Sequence, residues 1–242
     1  MIDCIIPARG GSKGIPKKNI VLINEIPLIA YSIYVAIESK YINNIYVSTD
    51  SEEIAEISRF YGANTPFLRP SYFASDKAND KQVFTHIFEE SKKLNFPISD
   101  DVVHLRPTTP GRDVKIIDEA ILEFISEKEC TSMRSAHESN LHPHKWFHKK
   151  EGNFIPIIQN ISDIEVTNMP RQSFPKVYIP NGYIDIVRFS TLKHNGKFHG
   201  NKIKSFITEK TRDIDDESDL KFARDSKEMF DLSRKIKNYF RK

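Results

Sequence analysis

Asp3-Cys4-Ile5-Ile6-Pro7-Ala8-Arg9-Gly10-Gly11-Ser12-Lys13-Gly14-Ile15-Pro16-Lys17-Lys18-Asn19 passes directly from an apolar run into a loop carrying three glycines and four cations. A short apolar run that ends in glycines reads as a buried strand followed by a tight loop. In an open α/β sheet that loop lies at the carboxyl edge of the strand, where ligands bind. Glycines let backbone N–H groups converge on phosphate oxygens, and Arg9, Lys13 and Lys18 can neutralise a triphosphate and its departing pyrophosphate. Two common phosphate motifs are absent: there is no GxGxxG, and no GxxxxGK followed by Ser or Thr. The loop therefore supports neither a dinucleotide fold nor a P-loop NTPase. Taken alone it also reads as a mobile turn, and the rest of the chain has to decide.

Working outward, Leu28, Ile29, Ile33 and Ala36 recur at helical spacing from about Pro27, and Ile45-Tyr46-Val47-Ser48-Thr49 reads as a strand ending at Asp50. Ser51 can cap a helix carrying Ile54, Ile57 and Tyr61, while Asp50 either faces the loop or helps to cap, capping being the favoured reading. The rhythm repeats with Val83, Ile87 and Phe88 on a helix, Val102-Val103-His104-Leu105 as a strand, and Ile116, Ile117, Ala120, Ile121 and Phe124 on another helix. Such alternation predicts a mostly parallel central sheet with helices on both faces, an α/β fold of Rossmann-like kind over residues 1–242. The rhythm is lost between about Met133 and Pro180, which predicts an inserted lobe over residues 133–180. It returns in a strand at Tyr183-Ile184-Asp185-Ile186-Val187, and one closing helix is expected to carry Leu220, Ala223, Met229, Leu232 and Ile236.

With 242 residues, 36 basic and 33 acidic, the chain has a formal net charge of +3 and interspersed signs. That excludes a general nucleic-acid binder and leaves small anionic ligands. No apolar stretch is long enough to span a membrane and no signal-like segment opens the chain, so a cytoplasmic protein without a membrane partner is expected. Cys4 and Cys130 are far apart and read as buried, reduced thiols in strands. His137, His142, His144 and His148 lack a zinc-ligand spacing, and no cysteine joins them.

Asp213 and Asp215 alternate around Ile214, so in an extended segment both carboxylates point to one face and suit a hard divalent cation. Asp216, Glu217 and Asp219 leave the stretch ambiguous, because acidic residues also favour a helix N-terminus. The phosphate loop in the same chain tips the reading toward metal.

The ordered set of motifs resembles the acylneuraminate cytidylyltransferase (CMP-N-acetylneuraminic acid synthetase) family. It comprises the opening strand and loop, Ser48-Thr49-Asp50, Leu68-Arg69-Pro70, Ala74-Ser75-Asp76 and Leu105-Arg106-Pro107-Thr108-Thr109-Pro110. It continues through Pro170-Arg171-Gln172, Pro180-Asn181-Gly182-Tyr183-Ile184 and Asp213-Ile214-Asp215 with Asp219. The resemblance implies a nucleotidyltransferase that transfers CMP from CTP to the anomeric hydroxyl of a sialic-acid-like 2-keto sugar acid. It also implies Mg2+ or another divalent cation, and a homodimer built by the inserted lobe. It implies that Arg9, Gly10, Gly11, Ser12, Lys13, Lys18, Asn19, Arg69, Ser75 and Asp76 bind CTP, with Lys18, Arg9 and Asp215 catalytic and Asp213 and Asp215 on the metal. The sugar acid falls to Arg106, Lys145, Arg171 and Asn181. Arg106 stands where many relatives have Gln, Gly111 where Leu is usual, and Asp185 where Tyr is usual. Legionaminate, pseudaminate and 3-deoxy-octulosonate acceptors therefore stay open. A metal-dependent glycosyltransferase also uses an Asp-x-Asp pair, and a non-catalytic nucleotide-binding module is the third reading. The strongly basic loop fits a triphosphate better than a nucleotide sugar.

Overall fold

The computed structural model describes residues 1–158 and 163–241; residues 159–162, inside the predicted lobe, lie outside the described residues. The elements run β1 (Ile2–Pro7), β2 (Leu22–Ile23), β3 (Ile26–Pro27), α1 (Leu28–Glu38), β4 (Ile42–Ser48), α2 (Glu52–Phe60) and α3 (Asp80–Lys93). They continue with β5 (Asp101–His104), α4 (Val114–Ser126), β6 (Ser132–Glu138), β7 (Phe147–Lys150), β8 (Asn153–Pro156) and β9 (Tyr178–Arg188). The chain ends with α5 (Phe189–Asn195), β10 (Ile203–Ile207), α6 (Glu217–Asp225) and α7 (Lys227–Phe240).

Six strands form the central sheet in the order β10-β6-β9-β5-β1-β4. β1 lies parallel to both β4 and β5, and β6 parallel to β10, while β9 runs antiparallel between β5 and β6. A strand paired on both sides and covered on both faces is apolar throughout. In β1 Ile2, Cys4 and Ile6 pack with α1, α4 and α7, whereas Ile5 turns to the opposite face with α3 and α5. This two-residue alternation between two apolar clusters gives the expected α/β sandwich of helices on both faces.

Helix starts follow local chemistry. Ser51 caps α2 by accepting from the Ile54 N–H, and Asn79 and Gln82 form a reciprocal capping box on α3. The closing helix is two helices, not one: Ser226 leaves helical geometry and accepts from the Met229 N–H to start α7. The predicted lobe also starts late and ends early. Residues 132–138 form β6, in the middle of the sheet, and β9 begins at Tyr178, so only residues 139–177 leave the sheet. The wide spacing of apolar residues in β6 masked a strand whose small, polar Ser132 and Ser135 are nevertheless buried. The excursion carries the β7–β8 hairpin and exposes Trp146, Phe147, Phe154 and Ile155. Both cysteines are free and buried, although Cys130 sits in the turn before β6 rather than in a strand.

Candidate active site

The carboxyl ends of β1, β4 and β5 lie side by side, and the loop after β1 closes over them. Ala8 N donates to Ser48 O (2.9 Å), which continues the sheet one residue past β1, and the Asn19 amide donates to Arg9 O (2.8 Å) across the loop's base. Gly10 N donates to Asp50 Oδ1 (2.8 Å). Asp50 therefore pins the loop to the end of β4, which corrects the capping reading; Ser51 alone caps α2.

Between this loop, the segment 69–80 and the end of β5 lies a cleft of about 420 Å³. Its wall brings together Arg9, Ser12, Lys13, Lys18, Asn19, Arg69, Ser75, Asp76 and Arg106, all of them site residues expected from the sequence. Gly14, rather than Gly10 or Gly11, is the loop glycine that lines it. Asp76 bridges Arg9 (2.9 Å) and Lys13 (2.7 Å), and the Lys13 ammonium, together with Arg9, holds its carboxyl below the usual range. Arg69 is buried, its Nε has no partner among the described residues, and burial lowers its guanidinium pKa despite nearby Asp50. The structure thus offers a row of cations, one of them desolvated, facing a small polar cavity. Such preorganised positive charge stabilises phosphate charge that develops during reaction.

The acidic segment separates into two roles. Asp216 caps α6 in a box with Asp219, so these two side chains serve the helix. Ile214 is buried and its N–H donates to Thr108 O (2.8 Å), which leaves Asp213 and Asp215 on the other side of the extended segment. Asp213 accepts from the Thr109 hydroxyl, and Asp215 Oδ1 lies 3.1 Å from Lys18 Nζ, which also donates to Ile214 O (3.1 Å). The segment packs tightly on the phosphate loop: a Cβ built on Gly14 would sit 2.5 Å from the Asp215 carbonyl oxygen. Among the described residues no cluster of three or more His, Cys, Asp or Glu side chains is arranged to hold a metal. The donor set here is two hard carboxylates beside the glycine- and lysine-rich loop, which fits an oxygen-seeking divalent ion completed by further oxygens and water.

The inner wall is where the sequence was least informative. Arg112 is buried, and its guanidinium donates to the carbonyls of Tyr183 (2.6 Å), Arg106 (2.9 Å), Gly182 (3.1 Å) and Thr109, and to the Ser32 hydroxyl (3.0 Å). Burial pulls its pKa down to about 10, and among the described residues its hydrogen-bond partners are carbonyls and a hydroxyl. It fixes the turn 106–109 that carries Arg106, Thr108 and Thr109. A cation placed six residues beyond Arg106 was its only signal in the sequence. Arg106 is clamped between Asp80 and Asp185, 2.9 Å from each, and its pKa is raised by Asp185 and Asp80 in spite of burial.

Three predicted acceptor residues lie elsewhere. Asn181 is buried and spends its amide on the Thr208 hydroxyl (2.7 Å) and Glu209 O (3.2 Å), so it ties β9 to the segment after β10. Arg171 lies in the lobe, exposed, and donates to Asn140 Oδ1 (2.5 Å). Lys145 ends the turn 143–145 in the same lobe, and neither it nor Arg171 lines the cleft of its own chain. His142 and His144 stack on Phe174, and His142 Nε2 bonds Pro175 O (2.9 Å), an ordinary packing arrangement. No helix among the described residues is long and apolar enough to cross a membrane.

Comparison with known proteins adds to this geometry. The cytidylyltransferase family model matches residues 4–128, which hold the phosphate loop, Arg69, Asp76, Arg106 and Arg112. The chain is 30% identical over 249 residues to the N-acylneuraminate cytidylyltransferase of Escherichia coli, covering 98% of this chain and 56% of that protein. It therefore spans little more than half of that relative. It is 31% identical over 229 residues to the CMP-N,N'-diacetyllegionaminic acid synthase of Campylobacter jejuni, covering 91% and 92% of the two chains. Among solved structures, a CMP:2-keto-3-deoxy-manno-octonic acid synthetase complexed with CTP superposes with a TM-score of 0.69 at 13% identity, over 92% of this chain and 96% of that one. That match speaks for the fold.

Proposed function

This chain belongs to the cytidylyltransferase family, and from that premise we propose that it transfers CMP from CTP to the anomeric hydroxyl of a sialic-acid-like 2-keto sugar acid, with release of pyrophosphate. The observation that carries the reading is the cleft itself, in which Arg9, Lys13, Lys18 and Arg69 converge beside the Asp213-Ile214-Asp215 segment. The acceptor hydroxyl attacks the α-phosphorus in line, and the bond to the β-phosphate oxygen breaks. Arg9 and Lys13 leave Asp76 for the triphosphate, and Lys18 neutralises charge that grows on the leaving group. Thr109 holds the Asp213 carboxylate in place, and Arg112 holds Thr109. Magnesium or a similar cation, held by Asp213 and Asp215, would supply charge neutralisation and make the acceptor hydroxyl more acidic.

The same reading extends to assembly. The lobe exposes Trp146, Phe147, Phe154 and Ile155, and so much apolar surface on a small excursion is buried economically across a two-fold axis. A homodimer of this kind would let Lys145 and Arg171 serve the carboxylate of an acceptor in the partner's cleft. A cytoplasmic location goes with the supply of CTP there.

The test is pyrophosphate release from CTP with a panel of N-acylneuraminate, legionaminate, pseudaminate and 3-deoxy-octulosonate, after chelation and with magnesium restored. One acceptor should support turnover, CTP should be preferred over ATP, GTP and UTP, and Asp213→Ala and Asp215→Ala should each abolish most of it without lowering the melting temperature comparably. Absence of pyrophosphate with every acceptor would refute the activity, and full turnover by both variants would refute the metal assignment.

A further inference from the structure

Behind the Asp213-Ile214-Asp215 segment lies a second cavity, of about 370 Å³, that the transfer of CMP does not use. Its size falls in the lower range of small-molecule pockets. The turn after β5, the start of α4, the segment 208–214 and the junction of α6 with α7 enclose it. Its floor is apolar: Pro110, Tyr183, Ile214, Ala223 and Met229 are all buried, with Ile116 beside them.

Gly111 keeps the cavity open. A Cβ built there would meet Glu228 Oε1 at 3.5 Å and Met229 Sδ at 3.7 Å, ordinary contacts with two residues that line the same cavity. A longer side chain at this position would project into the space the glycine leaves.

Charge at the mouth decides what the cavity takes. Arg212 lies over the Phe222 ring, 4.0 Å from its centroid, and reaches Asp219 at 4.0 Å, so that cation is already engaged. Glu209 and Lys210 are exposed neighbours of opposite sign and offset one another. Asp113 and Glu228 remain, and among the described residues neither enters an ion pair. Helix capping accounts for Asp113, whose Oδ1 accepts from the Lys115 N–H (2.9 Å). It does not account for Glu228, because Ser226 caps α7 and the Glu228 carboxylate turns over Gly111 instead. The Asp113 N–H donates to the Tyr183 hydroxyl (2.6 Å), which sets this acidic end against the aromatic floor. Burial raises the Tyr183 pKa, and the Asp113 and Glu228 charges add to the rise. A carboxylate or phosphate ligand would meet two like charges here, and a wholly polar one would forfeit the floor. The match is an amphipathic cation, with a flat apolar body on Tyr183, Ile214 and Met229 and an ammonium at Asp113 and Glu228.

The partition between cavity and cleft is a single thickness of chain. Thr108 lines the cleft and Thr109 the cavity; Thr108 O accepts from the Ile214 N–H (2.8 Å), and the Thr109 hydroxyl donates to Asp213. A ligand pressing on Ile214 therefore acts on the same segment that Lys18 holds from the loop side.

We propose that this cavity is a second ligand site, one that takes a small aromatic amine and adjusts the affinity of the cleft for CTP through Ile214. The site itself is independent of CMP transfer, and its effect on the cleft rests on that reading.

The experiment titrates tryptamine, tryptophol and indole-3-propionate, indoles that differ only at the end of the side chain, into the parent, Gly111→Leu and Glu228→Gln by calorimetry. CTP with magnesium is titrated in parallel, with and without saturating tryptamine. Tryptamine should bind the parent at least about tenfold more tightly than tryptophol, the scale of one charge-assisted hydrogen bond, and indole-3-propionate should bind more weakly than either. Glu228→Gln should bring tryptamine and tryptophol within about threefold of each other, since the charge that favours the amine is gone. Gly111→Leu should abolish tryptamine binding without lowering the melting temperature, because its side chain enters space that already exists. CTP affinity should shift by about fivefold or more when tryptamine is bound, and tryptamine affinity by the same factor when CTP is bound. No tryptamine binding, equal binding of the indoles, or undiminished binding to folded Gly111→Leu would overturn the site. If Gly111→Leu does not fold, a Glu228→Gln chain that keeps the parent's preference for the amine overturns it instead. CTP affinity unmoved by tryptamine overturns the coupling and leaves the site standing. A parent with no affinity for CTP defeats the cytidylyltransferase activity and the coupling with it, while the indole titrations still decide the site.

Discussion

Gly14→Ala tests whether the phosphate loop and the Asp213-Ile214-Asp215 segment form one machine. The added Cβ would lie 2.5 Å from the Asp215 carbonyl oxygen, and real Cβ contacts essentially never fall below 3.0 Å, so the two backbones must part by at least about 0.5 Å. The obstacle is main chain, which cannot rotate away as a side chain would. Overpacking of this kind costs about 1–3 kcal/mol, which in a chain of this size lowers the melting temperature by roughly 2–12 °C. The functional cost should exceed the stability cost, because Lys18 Nζ holds Ile214 O and Asp215 from the loop side and would be dragged out of register. A displacement approaching 1 Å costs up to about 100-fold in rate, so kcat/KM for pyrophosphate release should fall by roughly 10- to 100-fold. Gly11→Ala is the stability control: its Cβ would meet nothing within 4 Å, and its melting temperature should match the parent's. If Gly14→Ala melts and turns over like the parent, the coupling of loop and acidic segment is refuted.

Lys18→Ala should lose about 2–4 kcal/mol of transition-state stabilisation, seen as a fall in kcat with a small change in melting temperature; unchanged turnover would exclude Lys18 from the triphosphate. Arg112→Met should lower stability by at least about 3 kcal/mol, from about 1–3 kcal/mol for each buried carbonyl left without a donor, and a denaturant midpoint within error of the parent's would contradict its role as the clamp of the 106–109 turn. Burial pushes the His104 ring well below its ordinary pKa of 6.5, and burial lowers His86 and His199 as well. The unfolded chain therefore binds protons below about 6.5 that the folded chain refuses. Stability should be full above that pH and fall steadily as the pH drops below it. Denaturant titrations at pH of about 7.5 and 5.5 would show the loss, and His104→Leu should show less of it; equal slopes for parent and variant would refute the assignment.

The sequence by itself determined the fold class and most of the residues that gather around the cleft. Both are written in short-range chemistry: the alternation of apolar positions in β1, β4, β5, α1 and α4, and a glycine- and lysine-rich loop adjoining the first strand. Such patterns are legible because each is set by neighbours within a few residues, and Ser51, Asn79 and Asp216 cap their helices for the same reason. Spacing left Asp213 and Asp215 unresolved from the capping acids; the buried Ile214 and the Asp216–Asp219 capping box divide them. What only the tertiary structure decided depends on residues far apart in the chain. Asp50 reaches Gly10 across 40 residues, Asp185 is sandwiched between His104 and Arg134 because β9, legible as a strand, runs antiparallel between β5 and β6, and Arg112 spends its donors on carbonyls up to 71 residues away. The lobe's true limits followed from the same cause, since β6 earns its place in the sheet by pairing with β9 and β10 rather than by its own pattern. A polar side chain reads as solvated or as buried and functional according to what the fold sets opposite it, and that neighbour is not encoded nearby.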